Sequence, residues 1–280
     1  MRPQVSTAAV VAALSRRELL RSLATPAVTV QSVAFPAVLL MTLLAVFGSA
    51  VEDFTGGQPY IQRVTPALVV SGAAFGSVGA ILGLFEDRAS GFFDRIRLIP
   101  FAGASPDPDD VRGLRALMVA RSISEHLRVL AATVVLTLIG AAFGFRFEAG
   151  LARAAAFYAL ATVFGASFCW IGFALAARAS SMESVVPPVT GLFLVLLFLS
   201  HGMVPLDAFP DQVQPVVEVA PSSLMMLTLQ RLSGGGEVAG PLVGALAWTL
   251  GITVVFSTLA ARGLRGLSRG RPSSGSDDPS

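Results

Sequence analysis

The sequence predicts an all-α polytopic membrane protein. Three observations carry this. The 280 residues are 54% hydrophobic, and only 14% are charged, well under the roughly 25% usual in soluble domains. The mean hydropathy is +0.71. Apolar runs of about 20 residues recur along the chain, the length that matches a ~30 Å hydrocarbon layer at 1.5 Å per helical residue.

Six spans follow from these runs. The first covers 28–48 and includes Gln31 and Pro36. The second covers 64–85, the third 129–145 and the fourth 154–177. The fifth covers 185–203 and opens on Pro187 and Pro188, which a first helical turn accepts. The sixth covers 241–261. The chain thus divides into an N-terminal segment at 1–27, a six-helix membrane domain at 28–261 and a tail at 262–280. The tail is polar enough to be disordered. The arginines of the N-terminal segment precede a run without a small-x-small cleavage site, so the first span reads as a retained anchor.

All twenty basic residues are arginine. The lack of lysine excludes a Walker A lysine and a Schiff base in this chain. Sixteen of the arginines fall on the N-terminal segment, the loop after the second span, Arg178 and the tail; Arg63, Arg146, Arg153 and Arg231 fall on the other face. By the positive-inside rule both termini and the loop after the second span are cytoplasmic. One cysteine, Cys169, sits in an apolar run, which rules out an intrachain disulfide. No His, Cys or carboxylate set has metal-ligand spacing, and no catalytic triad or phosphate loop occurs. No metal, no bound cofactor and no enzymatic site are expected, and nothing points to nucleic acid.

The densest signal is EDRASGFFDRIRLIP, Glu86 to Pro100. Phe92, Ile96 and Ile99 fall at i, i+4 and i+7, one apolar stripe of a short helix. Arg88, Asp94, Arg95 and Arg97 are then free for water or a partner. Glu86 and Asp87 read as the start of this helix, where negative charge suits the dipole. Gly91 is a weak point and Pro100 a stop. The competing reading is a solvated loop obeying the charge rule. Upstream, 7–22 with SRRE at Ser15 to Glu18 is helix-compatible and suited to a membrane surface.

Gly72, Gly76, Gly79 and Gly83 place small residues four apart in the second span. This spacing lets helices approach closely, either for packing within the chain or to line an interface that changes. The spans so bounded hold no Asp, Glu or Arg, which disfavours a proton- or sodium-coupled carrier. Neutral polar residues such as Gln31, Thr42, Thr133 and Thr137, with Gly72 and Gly76, could line a route for an apolar or amphipathic cargo. They could equally satisfy carbonyls of their own helices. Between the fifth and sixth spans, four prolines cut 200–240 into short pieces. PSSLMMLTLQRL is apolar but too short to cross, which fits a re-entrant or surface helix.

Together these pieces resemble the ABC type-2 exporter permeases, in their daunorubicin-resistance-like branch. The resemblance spans roughly Arg16 to Arg265. It rests on the island with its glutamate, Gly91, Arg95, Arg97 and Pro100; on FGFRFEAG at 143–150; and on GMVPLDAFPDQVQP at 202–215 with Pro221 and Arg231 beyond. One departure is AGASPDPDDVRGLRA at 102–116, longer and more polar than the family pattern. The resemblance implies a permease in the plasma membrane, paired with a second permease as a homo- or heterodimer. A dimer of cytoplasmic ATPases, which hold ATP and Mg, would power it. The cargo would be a hydrophobic drug, antibiotic or lipid. Glu86, Arg88, Phe92, Arg95 and Arg97 would then form the ATPase-coupling helix. Arg16, Arg17, Glu18 and Arg21 would lie on an interface helix, and short external helices would follow the fifth span. A non-transporting membrane scaffold is the alternative from another class.

Overall fold

A computed structural model describes residues 6–24, 26–47, 59–97, 112–179, 181–200 and 206–269. They form ten α-helices and one 3-10 turn, with no strand among the described residues. The helices are α1 (Thr7–Ala24), α2 (Pro26–Phe47), α3 (Tyr60–Ala89), α4 (Phe92–Arg97), α5 (Arg112–Ala142), α6 (Leu151–Ala176), α7 (Val186–Phe198), α8 (Gln214–Val219), α9 (Pro221–Gly234) and α10 (Ala239–Arg269). The turn lies at Leu206–Ala208. Three helices among the described residues, α5, α6 and α10, are long and apolar enough to cross a membrane.

α6 is the centre of the bundle and packs on α3, α5, α9 and α10. It is apolar all round, as a largely buried helix is, with Leu151, Val163 and Leu175 left exposed. Its Phe157, Phe164, Phe168 and Phe173 are completely buried. Their rings meet neighbours edge to face: Phe164 on Phe168 at 5.0 Å, and Phe168 on Phe193 of α7 at 5.3 Å. Such pairs contribute about 0.5–1.5 kcal/mol beyond area burial. A Cβ at Gly165 would stand 2.5 Å from the Ala73 methyl of α3 and 2.8 Å from Val129 of α5. The missing side chain therefore sets the distance between three central helices.

Several elements depart from the sequence expectation. Hydropathy starts the third span at 129, yet α5 starts at Arg112. Its 31 residues span about 46 Å. Leu114, Leu117 and Met118 are buried, so the apolar periodicity runs through what reads as a charged loop. α10 continues to Arg269, so 262–269 are helical, not part of a disordered tail. α7 has 13 residues, about 20 Å; the last part of the predicted fifth span, 201–203, lies outside the described residues. So do 98–111, with Ile99 and Pro100, the tail from 270, and the surroundings of Gln31, Gly76, Asp94 and Arg97.

The sequence suggests a re-entrant or surface position for α9. Of the two, the surface position is ruled out: α9 packs into the bundle against α3, α6 and α10, with Met225, Met226 and Leu229 buried, as a re-entrant segment would be. Packing against three helices covers its apolar face more fully than a surface position would. Ser222 donates to the Leu196 carbonyl at 2.6 Å, tying α9 to α7.

Candidate functional site

The island from Glu86 is not one helix. Glu86 and Asp87 belong to the last turn of α3, and the chain breaks at Ser90 and Gly91 before α4. Gly91 takes φ +66°, a conformation open to glycine at little cost. The expectation that the two acids open a helix is therefore reversed. They stand at a helix C-terminus, where negative charge opposes the dipole, so their placement needs cations.

Three arginines supply them. Arg121 of α5 reaches Asp87 with Nη2 2.5 Å from Oδ2, and the same nitrogen donates to the Gly83 carbonyl at 2.8 Å. Arg17 and Arg21 of α1 donate to Asp87 Oδ1 at 3.1 and 3.2 Å. Arg21 also pairs with Glu86, and Arg17 with Glu18 at 2.5 Å. Glu18 lies 3.6 Å from Arg121. Side-chain exposure is 2% for Asp87, 4% for Arg121 and 9% for Glu18. This is a buried ion cluster that joins three helices distant in sequence. Between enclosed groups such as Asp87 and Arg121, a charged hydrogen bond contributes about 1.5–3 kcal/mol; the half-exposed Arg17 and Arg21 contribute less.

Gly83 makes the cluster possible. A Cβ there would fall 2.5 Å from Arg121 Nη1. The small residue that the sequence assigns to helix–helix packing gives room to a guanidinium.

α4 is fastened to the same node. Arg17 Cζ lies 3.8 Å from the centre of the Phe92 ring, a cation–π contact. Ile96 is buried, and its backbone oxygen would lie 2.8 Å from a Cβ at Gly113 of α5. Arg17 and Phe92, predicted for two different helices with two different roles, thus meet. Arg88 donates to the Ala179 carbonyl after α6 at 2.7 Å. Arg16 and Arg95 are exposed and take no part in the cluster.

A second buried pair lies further along α5, where Arg128 Nε donates to Glu125 at 2.9 Å. The spans predicted from hydropathy hold no charge; the longer helices bring Asp87, Arg121, Glu125 and Arg128 into the bundle. Asp87 and Arg121 are not among the predicted site residues. A signal exists: Leu114, Leu117, Arg121, Ser124 and Arg128 recur every three to four residues, one helical face that carries arginine.

Of the predicted cargo-lining residues, Gln31 and Gly76 lie outside the described surroundings, and the other four stand on α2, α3 and α5. Thr133 and Thr137 are buried on α5. Thr137 Oγ1 bonds the Thr133 carbonyl at 2.9 Å and meets the Tyr158 hydroxyl at 2.8 Å. Thr42 is exposed on α2 and donates to the Val38 carbonyl. Gly72 is buried on α3.

The chain is 26% identical over 234 residues to a probable doxorubicin resistance ABC transporter permease protein, DrrC, of Mycobacterium tuberculosis, covering 84% of this chain and 80% of that one. It is 27% identical over 237 residues to the daunorubicin resistance ABC transporter permease protein DrrB1 of Streptomyces coeruleorubidus, covering 85% and 79%. Residues 9–230 match the ABC-2 type transporter family. That match takes in most of α1, the ion cluster, α4 and most of α9, and on it this chain belongs to the ABC-2 type transporter family.

Proposed function

We propose that this chain is the membrane permease subunit of an ATP-driven exporter, and that the ion cluster with α4 is where an ATPase subunit drives it. The observation that carries the reading is mechanical. α4 is too short to be stable alone, yet it is clamped to α1 by Phe92 and Arg17 and to α5 by Ile96 and Gly113. A push on α4 passes into two helices at once, and α5 carries it along its whole length as a rigid body.

In this reading the six spans cross the plasma membrane with both termini in the cytoplasm, as the arginine distribution favours. α4 is the coupling helix. Arg88, Arg95 and Arg97 offer positive charge to an ATPase dimer that binds ATP and Mg, and α1 is the interface helix along the membrane surface. Phe92 and Glu86 serve the coupling from within, holding α4 against the arginines of α1. A second permease completes the pathway, because six helices are few to enclose a bulky cargo. The relatives are named for resistance to doxorubicin and daunorubicin, which favours a hydrophobic drug, antibiotic or lipid as cargo, leaving the cell. The turn at Leu206–Ala208, α8 and α9 take the place of the external helices.

Arg95→Ala with Arg97→Ala tests it. Co-expressed with the ATPase, the double variant is expected to insert normally while ATP-driven drug efflux from inverted vesicles falls several-fold. Unchanged efflux, or a wild-type chain that never co-purifies with the ATPase, rejects the reading.

A further inference from the structure

α10 is longer than a membrane core requires. Its 31 residues reach about 46 Å, whereas hydrocarbon takes about 30 Å and a bilayer with its headgroups about 40–45 Å. The last turns therefore stand at headgroup depth. There the chain reads ARGLRGLSR at 261–269, and no acid occurs between Glu237 and Asp277. Val243, Leu250, Val254 and Thr258 are exposed on one face of α10, and Arg262 continues that face at the helical period. An apolar stripe thus turns cationic where the hydrocarbon ends.

α6 ends beside it. A Cβ at Gly263 would lie 2.9 Å from the Ala177 methyl and 3.6 Å from Arg178 Cγ, so the stem of Arg178 lies along α10 next to Arg262. Arg178 is exposed, and its Nη1 donates back to the Ala174 carbonyl at 3.1 Å. Trp170 lies on the same line of α6, one turn before Ala174, and is partly exposed. Among the described residues no carboxylate pairs with Arg178 or Arg262. Glu183, the acid of the loop after α6, is held by its own backbone N–H and by Ser181. Two cations from two helices therefore flank one seam.

We propose that the seam between the ends of α6 and α10 binds an anionic phospholipid, with its phosphate between Arg178 and Arg262 and an acyl chain along Leu250 and Val254. Guanidinium forks match phosphate oxygens, and basic pockets between membrane helices suit anionic headgroups. A zwitterionic lipid offers the same phosphate but brings its own cation towards the arginines, so the preference is for net negative charge. The site requires only that α6 and α10 cross a bilayer. Its place in the cytoplasmic leaflet rests on the exporter reading above.

The test uses the full chain with Trp248→Phe, which leaves Trp170 as its single tryptophan. It is placed in phosphatidylcholine vesicles doped with acyl-brominated phosphatidylglycerol or acyl-brominated phosphatidylcholine, and quenching of Trp170 reads occupancy of the seam. Phosphatidylglycerol is expected to quench at a several-fold lower mole fraction. An arginine near anionic headgroups adds about fivefold at most; Arg262 is exposed, so Arg262→Gln should cut the preference about threefold. Adding Arg178→Gln should bring it to about one. Arg115→Gln removes an exposed arginine of α5 and should leave the preference unchanged, which separates a site from general surface charge. Arg262 lies on the surface, so its variant folds even if loss of the Arg178 contact to α6 does not permit folding. Equal quenching by the two lipids in the parent chain, or equal losses in Arg115→Gln and Arg262→Gln, overturns the proposal. ATP-driven efflux with the ATPase subunit is measured on the same parent chain. Lipid preference without efflux supports the site and removes the exporter reading; efflux without lipid preference does the reverse.

Discussion

Asp87→Asn is the sharpest perturbation of the ion cluster, because it removes one charge and almost no volume. Its effect can be apportioned from exposure. Arg17 and Arg21 keep 37% and 29% of their side chains exposed, so water replaces most of what they lose, at about 0–1 kcal/mol each. Arg121 is 4% exposed. Without Asp87, the carboxylate that still faces it within the cluster is Glu18, at 3.6 Å. An enclosed cation stripped of its main partner typically destabilises by about 3–5 kcal/mol. The expected order is therefore Asp87→Asn at ~3–5 kcal/mol, followed by the Arg17→Ala and Arg21→Ala variants at about 1 kcal/mol or less. Arg121→Met leaves Asp87 with two arginines and should lie between. The combination of Asp87→Asn with Arg121→Met should recover about 2 kcal/mol relative to the sum, the coupling expected of residues in direct contact. Unfolding of the purified chain in mixed micelles, followed by Trp170 and Trp248 fluorescence, measures each corner of the cycle. Additive single effects, or an Asp87→Asn change under about 1 kcal/mol, would refute the claim that a buried charge pair organises this end of the bundle.

Other expectations follow from clearance and backbone geometry. Gly113→Val should push α4 off α5, because a Cβ would meet Ile96 backbone as well as side chain; coupled efflux falls while membrane insertion, scored by protease protection, persists. Gly165→Val should destabilise by about 1–3 kcal/mol through overpacking against Ala73 and Val129, read in the same unfolding assay. Gly91→Ala should lose about 1 kcal/mol or more at its positive φ and reduce ATPase-dependent efflux more than thermal stability. Phe92→Leu keeps an apolar contact but removes the ring beneath Arg17, and a drop of about 0.5–1 kcal/mol in the unfolding assay is the expected result.

The long apolar helices are legible in the sequence because composition and length alone decide them. α6, buried over most of its surface, reads as continuously apolar, and its predicted bounds differ from the observed ones by only a few residues. The resemblance to type-2 permeases is legible for another reason: short motifs keep their order between spans. The ion cluster is not legible. Arg17 and Asp87 are separated by 70 residues and Asp87 and Arg121 by 34, so no local window holds both partners. Taken locally, Glu86 and Asp87 fit a helix start, since their charge opposes a helix end; only the remote arginines make the helix end tenable. Gly83 shows the same limit, because glycine reports that something comes close but not what. The charge of Arg121 lowers the local hydropathy and suggests a loop, although the helical period runs through it.

The ion cluster closes late in synthesis. Arg17 and Glu18 leave the ribosome long before Asp87 and Arg121 exist. At about 5–20 residues per second, the 70 residues between Arg17 and Asp87 take roughly 4–14 s. Through that interval Arg17 and Arg21 lack their Asp87 partner, and water is the medium that accepts their charge. α1 must therefore wait, its arginines hydrated, while α2 and α3 are made. The bundle closes over Glu18 only when α5 arrives with Arg121, so the first helix to be synthesised is among the last to be locked.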